Sequence, residues 1–90
     1  MAQVVVLLPS LLATEAGGPK RFELEARTVG EVLRALPIAN LLFDERGELR
    51  RLINVYVDGV DIRDRDGAAT LLDAGATLRV VQAVAGGTQL

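Results

Sequence analysis

The best-marked helix in this chain is too short to stand alone, and that constrains everything around it. Thr28-Val29-Gly30-Glu31 matches a capping box, in which the Thr hydroxyl and the Glu carboxylate satisfy the first free amides of a helix. Behind it Val29, Val32, Leu33 and Leu36 recur at i, i+3, i+4 and i+7, one apolar stripe on a helical surface. Pro37 blocks a clean continuation. The result is about two and a half turns, below the length at which an isolated helix persists in water. Its apolar stripe must therefore lie on another element, and the remaining apolar segments have the period of strands.

Val4 to Leu8 is a β-branched-rich run closed by Pro9-Ser10 and reads as a buried strand. After the turn signal Gly17-Gly18-Pro19, Phe22, Leu24 and Ala26 alternate with charged neighbours, a half-buried strand hairpinned to the first. Ile38 to Phe43 is apolar without a clear period and reads as an irregular core plug; Asp44 to Gly47 is a turn. Leu49 to Val57 reads as a longer strand, Asp58-Gly59 as a hairpin turn, and Val60 to Ile62 as a short edge strand. Asp64 to Leu72 is a crossover, Asp73-Ala74-Gly75 a turn, and Thr77 to Gln82 the last strand. The order β-β-α-β-β-β, with strands on both sides of a single main helix, predicts an α+β fold. One helix packed on one face of a mixed four- to five-stranded sheet is the β-grasp, or ubiquitin-like, arrangement. Residues 1–82 form that domain in this reading, and residues 83–90 a flexible tail.

Composition removes whole classes of chemistry. With 90 residues there is room for one small domain of radius of gyration about 12 Å. There is no Cys and no His, which excludes disulfides, thiol nucleophiles, zinc fingers and imidazole catalysis. The balance of 12 acidic against 10 basic residues, with no basic run, argues against a nucleic-acid module; one Tyr, two Phe and no Trp argue against stacking on bases. No stretch approaches the ~18 apolar residues of a membrane span. The Val4–Leu8 run is too short for a signal-peptide core and no Lys or Arg precedes it, so a cytoplasmic protein is expected.

Candidate sites are few. Asp58, Asp61, Asp64, Asp66 and Asp73 resemble a calcium loop only in part: aligning Gly67 with the obligatory glycine leaves Ile62 at the first ligand position. They read as turn-forming, solvated carboxylates, and no metal site is assigned. Gly17-Gly18-Pro19-Lys20 lacks the spacing of a phosphate loop and precedes a strand where a helix is needed. Glu23 and Glu25 share one wet strand face, with nothing to place them in a cleft. The tail Ala83-Val84-Ala85-Gly86-Gly87-Thr88-Gln89-Leu90 is the remaining feature. Chain ends commonly fray. Gly-Gly, however, has no Cβ and threads channels too narrow for other residues. From Ala83 to Gly87 the chain reaches at most about 17 Å when extended. A carboxylate carried on it is anionic at neutral pH and a poor electrophile, so it requires activation by another protein.

Nearly the whole chain resembles the ubiquitin-like sulfur carriers of the ThiS/MoaD/CysO family, closest to the CysO type. The resemblance is carried by Leu8-Pro9-Ser10-Leu11-Leu12, Gly17-Gly18, Asn54-Val55-Tyr56-Val57, Asp61-Ile62-Arg63 and Ala83-Val84-Ala85-Gly86-Gly87, in that order. It implies a non-enzymatic carrier with no bound cofactor. A ubiquitin-activating-type enzyme, using ATP and Mg, would adenylate the carboxylate of Gly87. A rhodanese-type sulfur donor would convert it to a thiocarboxylate, and a biosynthetic enzyme would accept the sulfur. Val84, Ala85 and Gly86 would enter the partner's channel, while Leu8 and Val81 would belong to the docking face. Working family members end at the second glycine, and some relatives carry an extension that is removed; Thr88-Gln89-Leu90 follow it here. The resemblance therefore implies cleavage between Gly87 and Thr88 by a JAMM-type metalloprotease. Two alternatives stay open: a ubiquitin-like modifier joined through Gly87 to a lysine, and a β-grasp module with an inert tail.

Overall fold

The computed structural model describes residues 2–83. In chain order the elements are β1 (Ala2–Leu7), α1 (Ser10–Glu15), β2 (Arg21–Ala26), α2 (Val29–Ala35), α3 (Ala39–Leu42), β3 (Ile53–Val57), β4 (Val60–Asp61) and β5 (Thr77–Gln82). Two single-turn 3-10 helices, Ile62–Asp64 and Gly67–Ala69, connect β4 to β5. The five strands form one mixed sheet in the order β2-β1-β5-β3-β4. β1 and β5 run parallel at its centre, and every other neighbouring pair is antiparallel. This is the expected β-grasp arrangement, with a radius of gyration of 12.2 Å.

Alternation along the strands decides the layers. Val4 and Val6 on β1, Ile53, Val55 and Val57 on β3, and Leu78 and Val80 on β5 are all buried on one side of the sheet. Against them lies the stripe of α2, with Val29, Val32 and Leu33 at 0 % exposure. The other sheet side carries no helix, and Val5, Leu7, Asn54, Tyr56 and Val81 there stay half-buried.

The helix start follows the expected chemistry with one shift. The Glu31 N–H donates to Thr28 Oγ1 at 3.2 Å, but the Glu31 carboxylate accepts from the N–H of Arg27, one residue before the cap, at 2.9 Å. The Asp58-Gly59 hairpin also forms. Both residues have positive φ, 48° and 88°, as a two-residue loop with the twist of its strands requires.

Four expectations are revised. The β1–β2 connection contains the helix α1, which buries Leu12 and Ala13. The core plug is ordered as the short α3, with Ile38, Leu42 and Phe43 buried. The long strand starts at Ile53 instead of Leu49, because residues 50–52 turn and the Ile53 N–H donates to the Arg50 carbonyl at 3.0 Å. The edge strand stops at Asp61, whose carboxylate accepts from the Arg63 N–H at 2.8 Å and caps a 3-10 turn.

Candidate functional site

Because β1 and β5 are parallel neighbours, their carboxyl ends lie at the same end of the sheet. Their pairing stops at Leu7 opposite Arg79. β5 continues, pairing with β3 through Asn54 opposite Val81 and Ile53 opposite Gln82. The Ala83 N–H then donates to the Leu52 carbonyl at 2.8 Å. The chain is thus held by β3 up to the point where the tail begins, which fixes where that tail leaves the domain.

Where β1 ends, Pro9 turns the chain into α1, and a groove of about 370 Å³ opens between that corner and the end of β5. Leu8 and Val81, the two docking residues expected from the sequence, both line it. They do so differently. Leu8 is 6 % exposed and belongs to the core, so it supplies floor; Val81 is half-buried on the helix-free side of the sheet. Sequence reading missed the accessible apolar residues. Leu11, on the groove wall, is 66 % exposed, and Leu52, hydrogen-bonded to Ala83, is 44 % exposed. A signal for Leu11 existed: Leu12, Ala13 and Ala16 fall on one helical face, and Leu11 lies off it.

The strand registers put Arg21, Leu7, Arg79, Tyr56 and Asp61 in one row across the open side. Arg21 pairs with Glu23. Among the described residues Arg79 makes no ion pair and stands exposed beside the groove. The site is therefore an apolar strip with a free cation at its edge. Among the described residues its lining holds no acid–base pair beside the Ser10 hydroxyl, and its open apolar shape suits binding. The tail residues Val84, Ala85, Gly86, Gly87 and Thr88 lie outside the described residues.

The other sequence candidates have structural tasks. The Asp58 carboxylate accepts from the Thr77 N–H at 3.0 Å, joining the hairpin to β5, and Asp61 caps its turn. Among the described residues no three Asp or Glu side chains gather where they could hold a metal ion. Glu25 lies opposite Gln3 on the exposed side of β2, and Glu23 is taken up by Arg21. Asp44 is held below the ordinary carboxylate range, chiefly by the backbone N–H of Glu48, against some desolvation, with further help from the N–H of Arg46 and the charges of Arg46 and Arg50. It organises the 44–48 turn and is not part of the groove beside β5. No helix among the described residues is long and apolar enough to cross a membrane.

The ThiS family model matches residues 6–87, the span from β1 through the second glycine of the tail. The sulfur carrier protein CysO of Mycobacterium tuberculosis is 34% identical over 91 residues, covering 93% of this chain and 98% of that protein. A chain in the crystal structure of the Amycolatopsis orientalis BexX/CysO complex superposes with a TM-score of 0.79 at 35% identity, over 93% of this chain and 99% of that one. The small archaeal modifier protein 1 of Methanosarcina acetivorans gives a TM-score of 0.81 at 32% identity, over 97% and 98% of the two chains. Fold and sequence agree over nearly the full length: the chain belongs to the ThiS family and is CysO-like.

Proposed function

We propose that this chain is a sulfur carrier whose working group is the carboxylate of Gly87, freed by cleavage before Thr88. The observation that carries the reading is the extent of the family match, which runs through the tail and stops at residue 87. Likeness to the CysO carriers supports the role, and the exit of β5 beside an apolar groove supplies a docking surface for a partner that must receive the tail.

The chemistry follows from the weakness of a carboxylate as an electrophile. A ubiquitin-activating-type enzyme joins the Gly87 carboxylate to ATP, releasing pyrophosphate and leaving an acyl-adenylate; Mg neutralises the phosphates. A persulfide on a rhodanese-type donor attacks the acyl carbon and expels AMP. A thiol then reduces the acyl disulfide, leaving the thiocarboxylate. A biosynthetic enzyme takes that sulfur. This chain's contribution is presentation. Val84, Ala85 and Gly86 carry the carboxylate into the channel, and two glycines pass where a Cβ would collide. Val81, Leu11 and the rim of Leu8 hold the partner at the base of the tail. A JAMM-type metalloprotease removes the residues after Gly87, because a peptide-bonded Gly87 has no carboxylate to adenylate.

The test compares residues 1–87 with the full chain in ATP–pyrophosphate exchange by a ubiquitin-activating-type enzyme. Exchange with the shorter chain alone supports the reading. No exchange with either, or equal exchange with both, overturns it. Likeness to a small archaeal modifier protein is compatible with one alternative outcome, attack on the adenylate by a lysine amine in place of sulfur. An isopeptide-linked product in the same reaction would identify that outcome.

A further inference from the structure

On the helix-bearing side of the molecule, a second groove of about 650 Å³ shares no residue with the one beside the tail. Its walls carry Arg34 from α2, Arg50 and Arg51 from the segment before β3, and Arg63 from the turn after β4. Phe43 and Leu49 are among its apolar lining. Arg63 is paired with Asp61, and the one acid on the wall, Glu48, is paired with Arg46. Among the described residues Arg34, Arg50 and Arg51 make no ion pair. Three arginines without an ion pair in one concavity stand out on a chain whose net charge is −2, although Arg50 also feels the Asp44 carboxylate at longer range.

Two of these arginines are held in place. The Arg34 guanidinium lies 4.5 Å from the centroid of the Phe43 ring and donates to the Gly47 carbonyl at 3.3 Å. Arg50 donates to the Asn40 carbonyl at 3.4 Å. A guanidinium fixed by stacking and one hydrogen bond keeps its other N–H groups free for a carboxylate and loses little freedom when it binds one.

We propose that this groove is a docking site for an acidic polypeptide segment of a partner protein, its carboxylates on Arg34, Arg50 and Arg51 and an apolar side chain against Leu49, with Phe43 beneath Arg34 holding that guanidinium in place. The apolar lining and the volume exceed what a simple anion would fill. A long nucleic acid is disfavoured, because the surface outside the groove is net acidic and Phe43 is 8 % exposed beneath Arg34, leaving no ring face for a base. The inference stands apart from the thiocarboxylate reading, since it uses neither the tail nor the groove beside it.

The experiment is selection of a displayed random-peptide library on the full chain, followed by fluorescence binding of the enriched peptide. The expected winners combine Asp or Glu with one or two large apolar residues, and their binding falls as salt is raised. Arg50→Glu with Arg51→Glu should weaken that binding about tenfold, in line with losing and reversing two exposed charge contacts. Arg27→Glu, outside the groove, should leave it unchanged. Retained circular dichroism and urea midpoint show that the variants fold. Winners without acidic bias, or equal weakening by Arg27→Glu, would overturn the proposal. So would competition by inorganic phosphate at concentrations near those of the peptide, or tighter binding of a single-stranded oligonucleotide.

Discussion

Gly30 is the position where local propensity and tertiary packing make opposite predictions. It sits in the first turn of α2, and replacing a helical glycine by alanine ordinarily stabilises by up to about 1 kcal/mol. Here a Cβ would stand 2.7 Å from Arg34 Nη1, 3.1 Å from the Ala68 carbonyl oxygen and 3.4 Å from Ala68 Cβ. The guanidinium is the far end of a flexible chain and can withdraw, giving up its stacking on Phe43, worth about 0.5–1 kcal/mol at an exposed site. The carbonyl is backbone. It belongs to the 3-10 turn Gly67–Ala69, which is tied to α2 where the Val29 N–H donates to the Thr70 carbonyl at 3.1 Å. Forcing that turn away costs about 1–3 kcal/mol, as other overpacking does. The sum favours a net destabilisation of about 1–2 kcal/mol for Gly30→Ala. Urea unfolding measures it, with an unchanged denaturant slope as the sign that the two end states are otherwise preserved. In an Arg34→Ala background most of the penalty should persist, because the carbonyl contact remains. A variant more stable than the parent would refute the packing of that turn on α2. A penalty that vanishes with Arg34 would show that only the guanidinium stands in the way.

Other consequences are more direct. Leu33→Ala empties a fully buried position and should cost about 2–5 kcal/mol by denaturant titration, a large fraction of the stability of a domain this size; a change below about 1 kcal/mol would contradict its place in the core. Leu11→Asp alters a residue 66 % exposed, so stability should stay within about 0.5 kcal/mol while affinity for the activating enzyme drops about tenfold; unchanged affinity removes Leu11 from the docking surface. The Asp44 carboxylate, depressed in the folded state, contributes stability at neutral pH that is lost as the pH falls through its folded value. Asp44→Asn should therefore show a shallower decline in stability toward acid than the parent, and parallel curves would contradict the hydrogen bonding of the 44–48 turn.

Much of the architecture was legible because it rests on short-range pattern. The alternation in Phe22, Leu24 and Ala26, the stripe behind Thr28 and the Asp58-Gly59 turn each act over a few residues, and each appears in the fold. The parity of Val4, Val6 and Leu8 already assigned Leu8 to the buried side, so its core role was readable even where docking was expected of it. α1 escaped notice because Leu12, Ala13 and Ala16 span little more than one turn, and Pro9-Ser10 reads equally as a strand terminator or a helix entry. Of the groove beside β5, only Leu8 and Val81 were legible, through the family resemblance and not through any local pattern. The groove exists because β5 continues past the last pair with β1, a relation between strands seventy residues apart that no local pattern carries. The arginine groove likewise assembles four arginines from three segments.

The central claim is that the chemistry resides on the Gly87 carboxylate. Its most direct test is the intact mass of this protein recovered from its own cells. The account predicts a chain ending at Gly87, with a fraction in which one carboxylate oxygen is replaced by sulfur. A mass that retains Thr88-Gln89-Leu90, and does not change when a ubiquitin-activating-type enzyme, ATP and a sulfur donor are supplied to the extract, would contradict it.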